Sequence, residues 1–290
     1  MGDVIVVTSG KGGVGKTTST VNIAAALASI GKSVVMLDAD VGLRNLDVVI
    51  GLENKIVYDF LDVIEGRCRL RQAIVSDKRF DGKLSMLAAS QTRNKTDVSE
   101  EQMKKLCDEL AEKYDYVLID CPAGIEQGFF NAVAGANRAI VVTTPEFSSI
   151  RDADRILGKL EEKNIPKIQI LLNNVRTSLI QSGDMPGVDE VIELLAADLL
   201  GVIPHDINIL ISANKGEILT AKNSSTPAAL AYKNVAKRIT GETVPLLDLA
   251  NDGSFKYKLK RLFKRKNKNK NSGIRRPQSE ERLTDRRNNS

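Results

Sequence analysis

Residues 10–18 read Gly10-Lys11-Gly12-Gly13-Val14-Gly15-Lys16-Thr17-Thr18, and these residue types at this spacing bind phosphate. Glycines let backbone N–H groups turn inward around phosphate oxygens, and a helix that follows adds its positive N-terminal end. In the pattern G-x-x-x-x-G-K-T, Lys16 would reach the β- and γ-phosphates and the Thr17 hydroxyl would ligate Mg²⁺. An apolar run at residues 4–7 precedes the loop and an alanine-rich helical pattern at residues 22–29 follows it, the strand–turn–helix setting that such a loop requires. The stretch therefore predicts a nucleoside triphosphate site. Lys11 is a second lysine, five positions before Lys16. One lysine suffices for the loop's own phosphates, so the extra one either acts on a neighbour's phosphates or is a solvated surface residue.

Carboxylates that could complete the site end two apolar runs. Met36-Leu37-Asp38-Ala39-Asp40 places acids at i and i+2, so both can face the same end of a strand. Val117-Leu118-Ile119-Asp120 has the form of a Walker B strand, with Asp120 holding the water shell of a metal. Mg²⁺ prefers oxygen ligands and keeps several waters, which suits such carboxylates beside Thr17. The alternative, that these aspartates cap helices or open turns, suits Asp47 best.

The elements that must position these groups follow from periodicity. Strands are predicted over 4–8, 33–38, 83–88, 116–121, 139–143, 167–172 and 199–203. Helices are predicted over 17–30, 99–113, 128–134, 150–163, 188–195, 208–214 and 227–240. Such alternation implies an α/β fold: a single P-loop NTPase domain over residues 1–250, mostly a parallel sheet with helices on both faces. Ligands then sit at the carboxyl ends of the strands, where Asp38 and Asp120 lie. A hydrophobic content of 42% allows a substantial core, while absent Trp and 4% aromatics make its packing aliphatic, as in a buried parallel sheet.

Composition narrows the chemistry. One histidine, His205, argues against histidine catalysis, and Cys68, Cys107 and Cys121 have no paired metal spacing. An odd count of cysteines suits a reducing compartment, with Cys121 a small buried filler beside Asp120. No apolar run approaches the ~18 residues of a spanning helix, and the first strand starts too early for a signal or transit peptide to be expected. The net charge of +5 hides an asymmetry: residues 254–290 hold 14 Lys+Arg against 3 Asp+Glu, and the preceding 253 hold 28 against 34. The body is mildly acidic and the basic character belongs to the tail.

The pattern K-G-G-x-G-K-T-T resembles the deviant Walker A loop of the ParA/MinD ATPase family, in which the Lys11 position crosses a dimer interface to the other subunit's nucleotide. Asp40-Val41-Gly42-Leu43-Arg44-Asn45-Leu46-Asp47, Val57-Tyr58-Asp59-Phe60, Ala89-Ser90-Gln91-Thr92-Arg93 and Pro122-Ala123-Gly124-Ile125-Glu126 extend the resemblance. So do Asp152-Ala153-Asp154-Arg155-Ile156-Leu157, Ser182-Gly183-Asp184-Met185 and Leu200-Gly201-Val202-Ile203-Pro204; the match runs from residue 2 to about 265. It implies ATP and Mg²⁺ as cofactors, a homodimer formed with ATP, and slow hydrolysis, with Lys11, Lys16 and Asp40 catalytic and Asp40 orienting the attacking water. Asp38 and Asn45 would belong to the same switch, and Asp152 with residues 148–151 would form a switch-facing helix start. Asn173 would hydrogen-bond adenine, with Pro204 to Asp206 covering the base's other edge. The chain departs from the family where Asn174 replaces a common arginine. The preference for ATP over GTP comes from the resemblance, and the Asn-Lys-x-Asp of GTPases is absent at this point.

The tail selects a branch of the family. Phe255, Leu259, Leu262 and Phe263 fall at i, i+4, i+7 and i+8, and seven Lys or Arg, Lys260 and Arg261 among them, lie within residues 255–266. Placed on a helix over 254–266, this is a basic amphipathic interfacial anchor. Burying four such side chains is worth at most ~6–12 kcal/mol before the helix is ordered. Each basic residue near anionic lipid adds ~1 kcal/mol. One helix should bind marginally, and a pair on a dimer ~10²–10⁴-fold more tightly. Residues 267–290, rich in Asn, Lys, Arg and Ser, are expected to be disordered. They extend beyond the usual family pattern.

This branch implies an ATPase that places the division septum. It implies a MinE-like activator, a MinC-like or other division-site factor, an anionic membrane surface and no specific nucleic acid. Its place would be the cytoplasmic face of a bacterial membrane, or the stroma and inner envelope of a plastid. The other branches are a DNA-partition ATPase of the ParA type, for which the acidic body lacks basic patches, and a flagellar-number ATPase. A nitrogenase-like iron protein would need a cysteine pair that this chain does not have.

Overall fold

The computed structural model describes residues 1–42, 45–91, 98–221 and 224–247. Its strands are β1 (Asp3–Thr8), β2 (Val34–Asp38), β3 (Val75–Ser76), β4 (Leu84–Leu87), β5 (Tyr116–Asp120), β6 (Arg138–Thr143), β7 (Lys167–Val175) and β8 (Asp198–Pro204). They form one sheet in the order β3-β4-β2-β5-β1-β6-β7-β8. Every pairing is parallel except that of β3 with β4. The apolar runs are continuous because parallel strands are covered on both faces. Ile5, Val7, Met36, Leu118, Ile140 and Val142 face one side and join a single core cluster, and the residues between them face the other.

Helix α1 (Lys16–Ser29) is buried on nearly all sides, with an unbroken buried run from Ser19 to Ala28. It lies between the sheet and the last long helix, Pro227–Ile239. The Ala-rich face allows the close approach, and polar residues along it are matched inside the core. The Ser19 and Tyr232 hydroxyls lie 3.1 Å apart, and Thr220 N donates to Asn22 Oδ1 at 3.2 Å. Tyr232 is fully buried and its phenol is pushed up to about 12, chiefly by desolvation.

The remaining helices are α2 (Leu46–Ile50), α3 (Phe60–Ile64), α4 (Leu70–Ala73), α5 (Glu100–Ala111), α6 (Gln127–Ala134), α7 (Phe147–Glu162), α8 (Thr177–Gln181), α9 (Val188–Leu195), α10 (Ile207–Asn214) and α11, the helix at Pro227–Ile239. α5 packs on β5 and β1, α6 on β1, and α7 on β6. Ser99 opens α5 with a capping box to Gln102, which satisfies two orphan donors reciprocally.

Three expectations need correction. β3, α2, α3, α4 and α8 were not predicted, because runs of two to five residues carry too little periodicity to register. β7 does not stop at residue 172 but continues to Val175, so Asn173 and Asn174 lie within it. A register shift between Leu172 and Val175, with Asn174 at φ 58, lets pairing resume opposite Pro204. α7 starts at Phe147, three residues ahead of the periodic pattern, because Glu146 takes the extended cap conformation. Cys121 is buried as expected, and its thiol is pushed up to about 12, first by desolvation.

The described residues belong to one compact unit. The anchor expected over 254–266, with Phe255, Leu259, Lys260, Arg261, Leu262 and Phe263, and the tail over 267–290 lie outside the described residues, as do Leu43, Arg44, Thr92 and Arg93. Among the described residues no helix is long and apolar enough to cross a membrane.

Candidate nucleotide site

The loop between β1 and α1 bends back on itself at Gly13 (φ 78) and Gly15 (φ 94), both in the left-handed region that glycine adopts at no steric cost. Gly15 is the N-cap of α1, no side chain caps it, and no acid lies in the first turn. The first N–H groups of a 14-residue helix therefore remain available to an anion. Two neighbours hold the loop in shape. Asn173 Nδ2 donates to Val14 O at 2.8 Å, and a Cβ on Gly15 would stand 2.4 Å from that nitrogen. A Cβ on Gly10 would stand 2.3 Å from the carbonyl oxygen of Asp152, so the loop and α7 meet backbone to backbone.

Beneath the loop, adjacent strands carry the two acids side by side, Asp38 of β2 opposite Asp120 of β5 in the ladder. Thr17 Oγ1 donates to Asp120 Oδ2 at 2.6 Å and Thr20 Oγ1 to Oδ1 at 3.3 Å. Asp38 accepts from Asp40 N at 3.0 Å and Leu46 N at 3.2 Å. It thus ties the Asp40 loop and the start of α2 to the end of β2. Burial is the main reason that Asp38 is raised to about 8, with the Asp120 charge next, and burial again leads in raising Asp120 to about 6. The charge of Asp40 adds to both, which brings it within electrostatic reach of the pair.

Acids that cling to protons in the absence of a cation, beside a threonine hydroxyl, form a donor set that fits Mg²⁺. Among the described residues no group of three or more His, Cys, Asp or Glu could hold a metal by itself.

Lys11 turns away from this cluster. Its Nζ donates to Ser148 Oγ of α7 at 3.1 Å and lies 3.5 Å from Glu146, with 43% of the side chain exposed. The residues expected to face the base lie together at the ends of β7 and β8: Asn173 and Pro204 are buried, His205 N donates to Val175 O at 2.9 Å, and Asp206 caps α10 through Asn208 N. Periodicity did not single out Thr20. Its place one turn after Thr17, on the same helix face, is the signal that marks it as Asp120's second partner.

The AAA_31 family, described as an AAA domain, matches residues 2–174. The chain is 52% identical over 266 residues to the septum site-determining protein MinD of Bacillus subtilis strain 168, covering 91% of this chain and 98% of that protein. Among solved structures, a chain of the MinC:MinD cell division protein complex of Aquifex aeolicus superposes with a TM-score of 0.78 at 43% identity, covering 84% of this chain and 98% of that one. The septum site-determining protein MinD of Pyrococcus horikoshii OT3, complexed with Mg-ADP, gives a TM-score of 0.75 at 28% identity and covers 82% and 96%.

Proposed function

This chain belongs to the MinD family of septum site-determining proteins, and from that premise we propose that it is an ATP- and Mg²⁺-dependent ATPase that dimerises with ATP, attaches to an anionic membrane and helps to place the division septum. The observation that carries the reading is the division of labour between its two loop lysines. Lys16 follows the phosphate cradle at the start of α1, whereas Lys11 lies at the surface on Ser148, where a second copy could receive it. Gly12, Gly13, Val14, Gly15 and Thr18 complete the cradle. Thr17, Asp38 and Asp120 would hold Mg²⁺ and its waters, and the ion would neutralise charge developing on the phosphates. Asp40 orients the attacking water, and Asn173, Pro204 and Asp206 line the base.

Phosphoryl transfer depends mostly on positioning and charge stabilisation, so turnover is slow until a MinE-like partner and the membrane complete the arrangement. A MinC-like factor is the partner recruited, supported by the MinC:MinD complex of Aquifex aeolicus. The ATPase body spans residues 1–250 and residues 254–266 supply the anchor, facing a bacterial cytoplasm or a plastid stroma. Co-sedimentation with anionic vesicles tests the reading, with ATP or ADP, for the full chain and for a truncation after Gly253. At a physiological ionic strength of ~0.15 M, pelleting that requires both ATP and the tail is expected. Pelleting indifferent to nucleotide would reduce the tail to an electrostatic anchor, and ATP-promoted DNA binding without vesicle binding would replace the reading with DNA partition.

A further inference from the structure

Away from the phosphates, the C-terminal ends of two helices converge on one side chain. Arg79 follows β3 in a short 3-10 turn, Lys78–Phe80. Its Nε donates to both oxygens of Asp77, at 2.9 and 3.0 Å, and its Nη2 to Oδ2 at 2.7 Å. Asp77 is 2% exposed, and its backbone N–H is bonded to Leu84 O of β4, so the base of this clamp is fixed to the sheet. The rest of the guanidinium reaches out. Nη2 donates to Ile50 O, the last residue of α2, at 2.5 Å, and Nη1 to Gly216 O, just past α10, at 3.0 Å.

Ile50 O is an orphan acceptor in the last turn of α2, and Gly216 O lies just past the C-cap of α10, so a cation finds carbonyl oxygens at both helix ends. The planar fork of arginine can hold a carboxylate and both carbonyls at once, and lysine cannot. The two helix ends also touch directly. A Cβ on Gly51 would stand 2.8 Å from Gly216 O, and one on Gly216 would stand 2.9 Å from Gly51 Cα, with φ +70 and +64 at the two positions.

The opposite ends of the same helices reach the nucleotide site. α2 begins at Leu46, whose N–H is bonded to Asp38, and its five residues make it a strut of about 7 Å. α10 begins at the Asp206 cap, directly after Pro204 and His205. We propose that Arg79 is a positioning residue that locks the Asp38–Asp40 side of the site to the Pro204–Asp206 side, so that turnover and base discrimination both depend on it. The inference rests on the nucleotide reading above and extends it, since Arg79 itself touches neither the phosphate loop nor its carboxylates.

The test is steady-state hydrolysis of ATP and GTP by the full-length chain, wild type and Arg79→Ala, Arg79→Lys and Gly216→Ala, with thermal melting beside each. Misplaced site groups lower rates even when the change is remote. Arg79→Ala is therefore expected to lower kcat for ATP by about 5- to 100-fold and to shrink the ratio of kcat/KM for ATP over GTP. Arg79→Lys, which keeps the charge but not the fork, should fall between, and Gly216→Ala should move both quantities the same way. Lowered melting with kcat and the ratio within about twofold of wild type would make Arg79 a plain structural staple and overturn the proposal. If Arg79→Ala does not fold, Arg79→Lys decides by the same criterion. Wild-type chain that neither hydrolyses ATP nor binds a fluorescent ATP analogue would overturn the nucleotide reading, and the proposal with it.

Discussion

At the scale of the residue, the site is an arrangement of charges that is unfavourable until a cation and phosphates arrive. Asp120 has its folded-state pKa raised to about 6 from 3.8, so the folded protein holds that proton more tightly than the unfolded chain. Its contribution is fully present below the unfolded pKa and is lost as pH rises through about 6. Nucleotide-free protein should therefore lose stability between about pH 4 and pH 7 from this group, and Asp38, raised to about 8, extends the loss upward. Asp120→Asn keeps the shape, and the Thr17 and Thr20 hydroxyls can rotate to accept from an amide. Its melting temperature without nucleotide should change less with pH than that of wild type, with a gain on the order of 2 kcal/mol near pH 8, while added Mg-ATP should no longer stabilise it. Parallel pH profiles for the two proteins would show that Asp120 is ionised without penalty. Asp40 differs, since the role proposed for it is to orient water. Asp40→Ala should still dimerise with ATP, seen by size-exclusion chromatography, while phosphate release falls by about 10²-fold or more. Full turnover in that variant would remove the role. Lys16→Ala should lose both dimerisation and turnover, because the β- and γ-phosphates lose their counter-charge inside the loop.

At the scale of the element, the loop's shape depends on what α7 and β7 press against it. Gly10 lies against the backbone of Asp152, where an added Cβ would meet the carbonyl oxygen at 2.3 Å and the carbonyl carbon at 2.5 Å. Backbone cannot swing aside as a side-chain tip can, so Gly10→Ala should cost about 1–3 kcal/mol in a urea melt. It should also displace the Lys11–Ser148 contact and weaken ATP-dependent dimerisation. Unchanged melting and dimerisation would mean that α7 yields freely. The phosphate loop, the two strand-end aspartates and the seven longer strands were legible from the chain alone, because each is written as a contiguous local pattern. What was not legible is held by tertiary contacts. Asn173 looked like a strand-end residue facing the base, yet its amide also props Val14 O, a partner 159 positions away. The Arg79 clamp joins a hairpin edge, α2 and α10, three segments with no shared periodicity. Short elements such as α2, fixed at one end by Asp38 and at the other by Arg79, owe their existence to those contacts rather than to propensity.

At the scale of the whole molecule, a body with 28 Lys+Arg against 34 Asp+Glu is joined to 37 residues with 14 against 3. The body is repelled by an anionic surface and the tail is attracted, so attachment through one tail is a difference between opposed terms. Screening shortens both, with a Debye length of ~10 Å at 0.1 M salt and ~3 Å at 1 M. In the proposed anchor, the apolar residues Phe255, Leu259, Leu262 and Phe263 would contribute a part that salt does not weaken. If ATP joins two tails on one particle, the second engages at an effective concentration set by the first, and affinity rises by ~10²–10⁴. The ADP form should therefore leave anionic vesicles as NaCl is raised, while the ATP form persists to higher salt. Leu262→Glu should abolish binding of both forms without changing ATP-dependent dimerisation. Vesicle flotation across a salt series measures this. Identical salt curves for the ATP and ADP forms would show that dimerisation adds no second anchor, and attachment would then not be switched by hydrolysis.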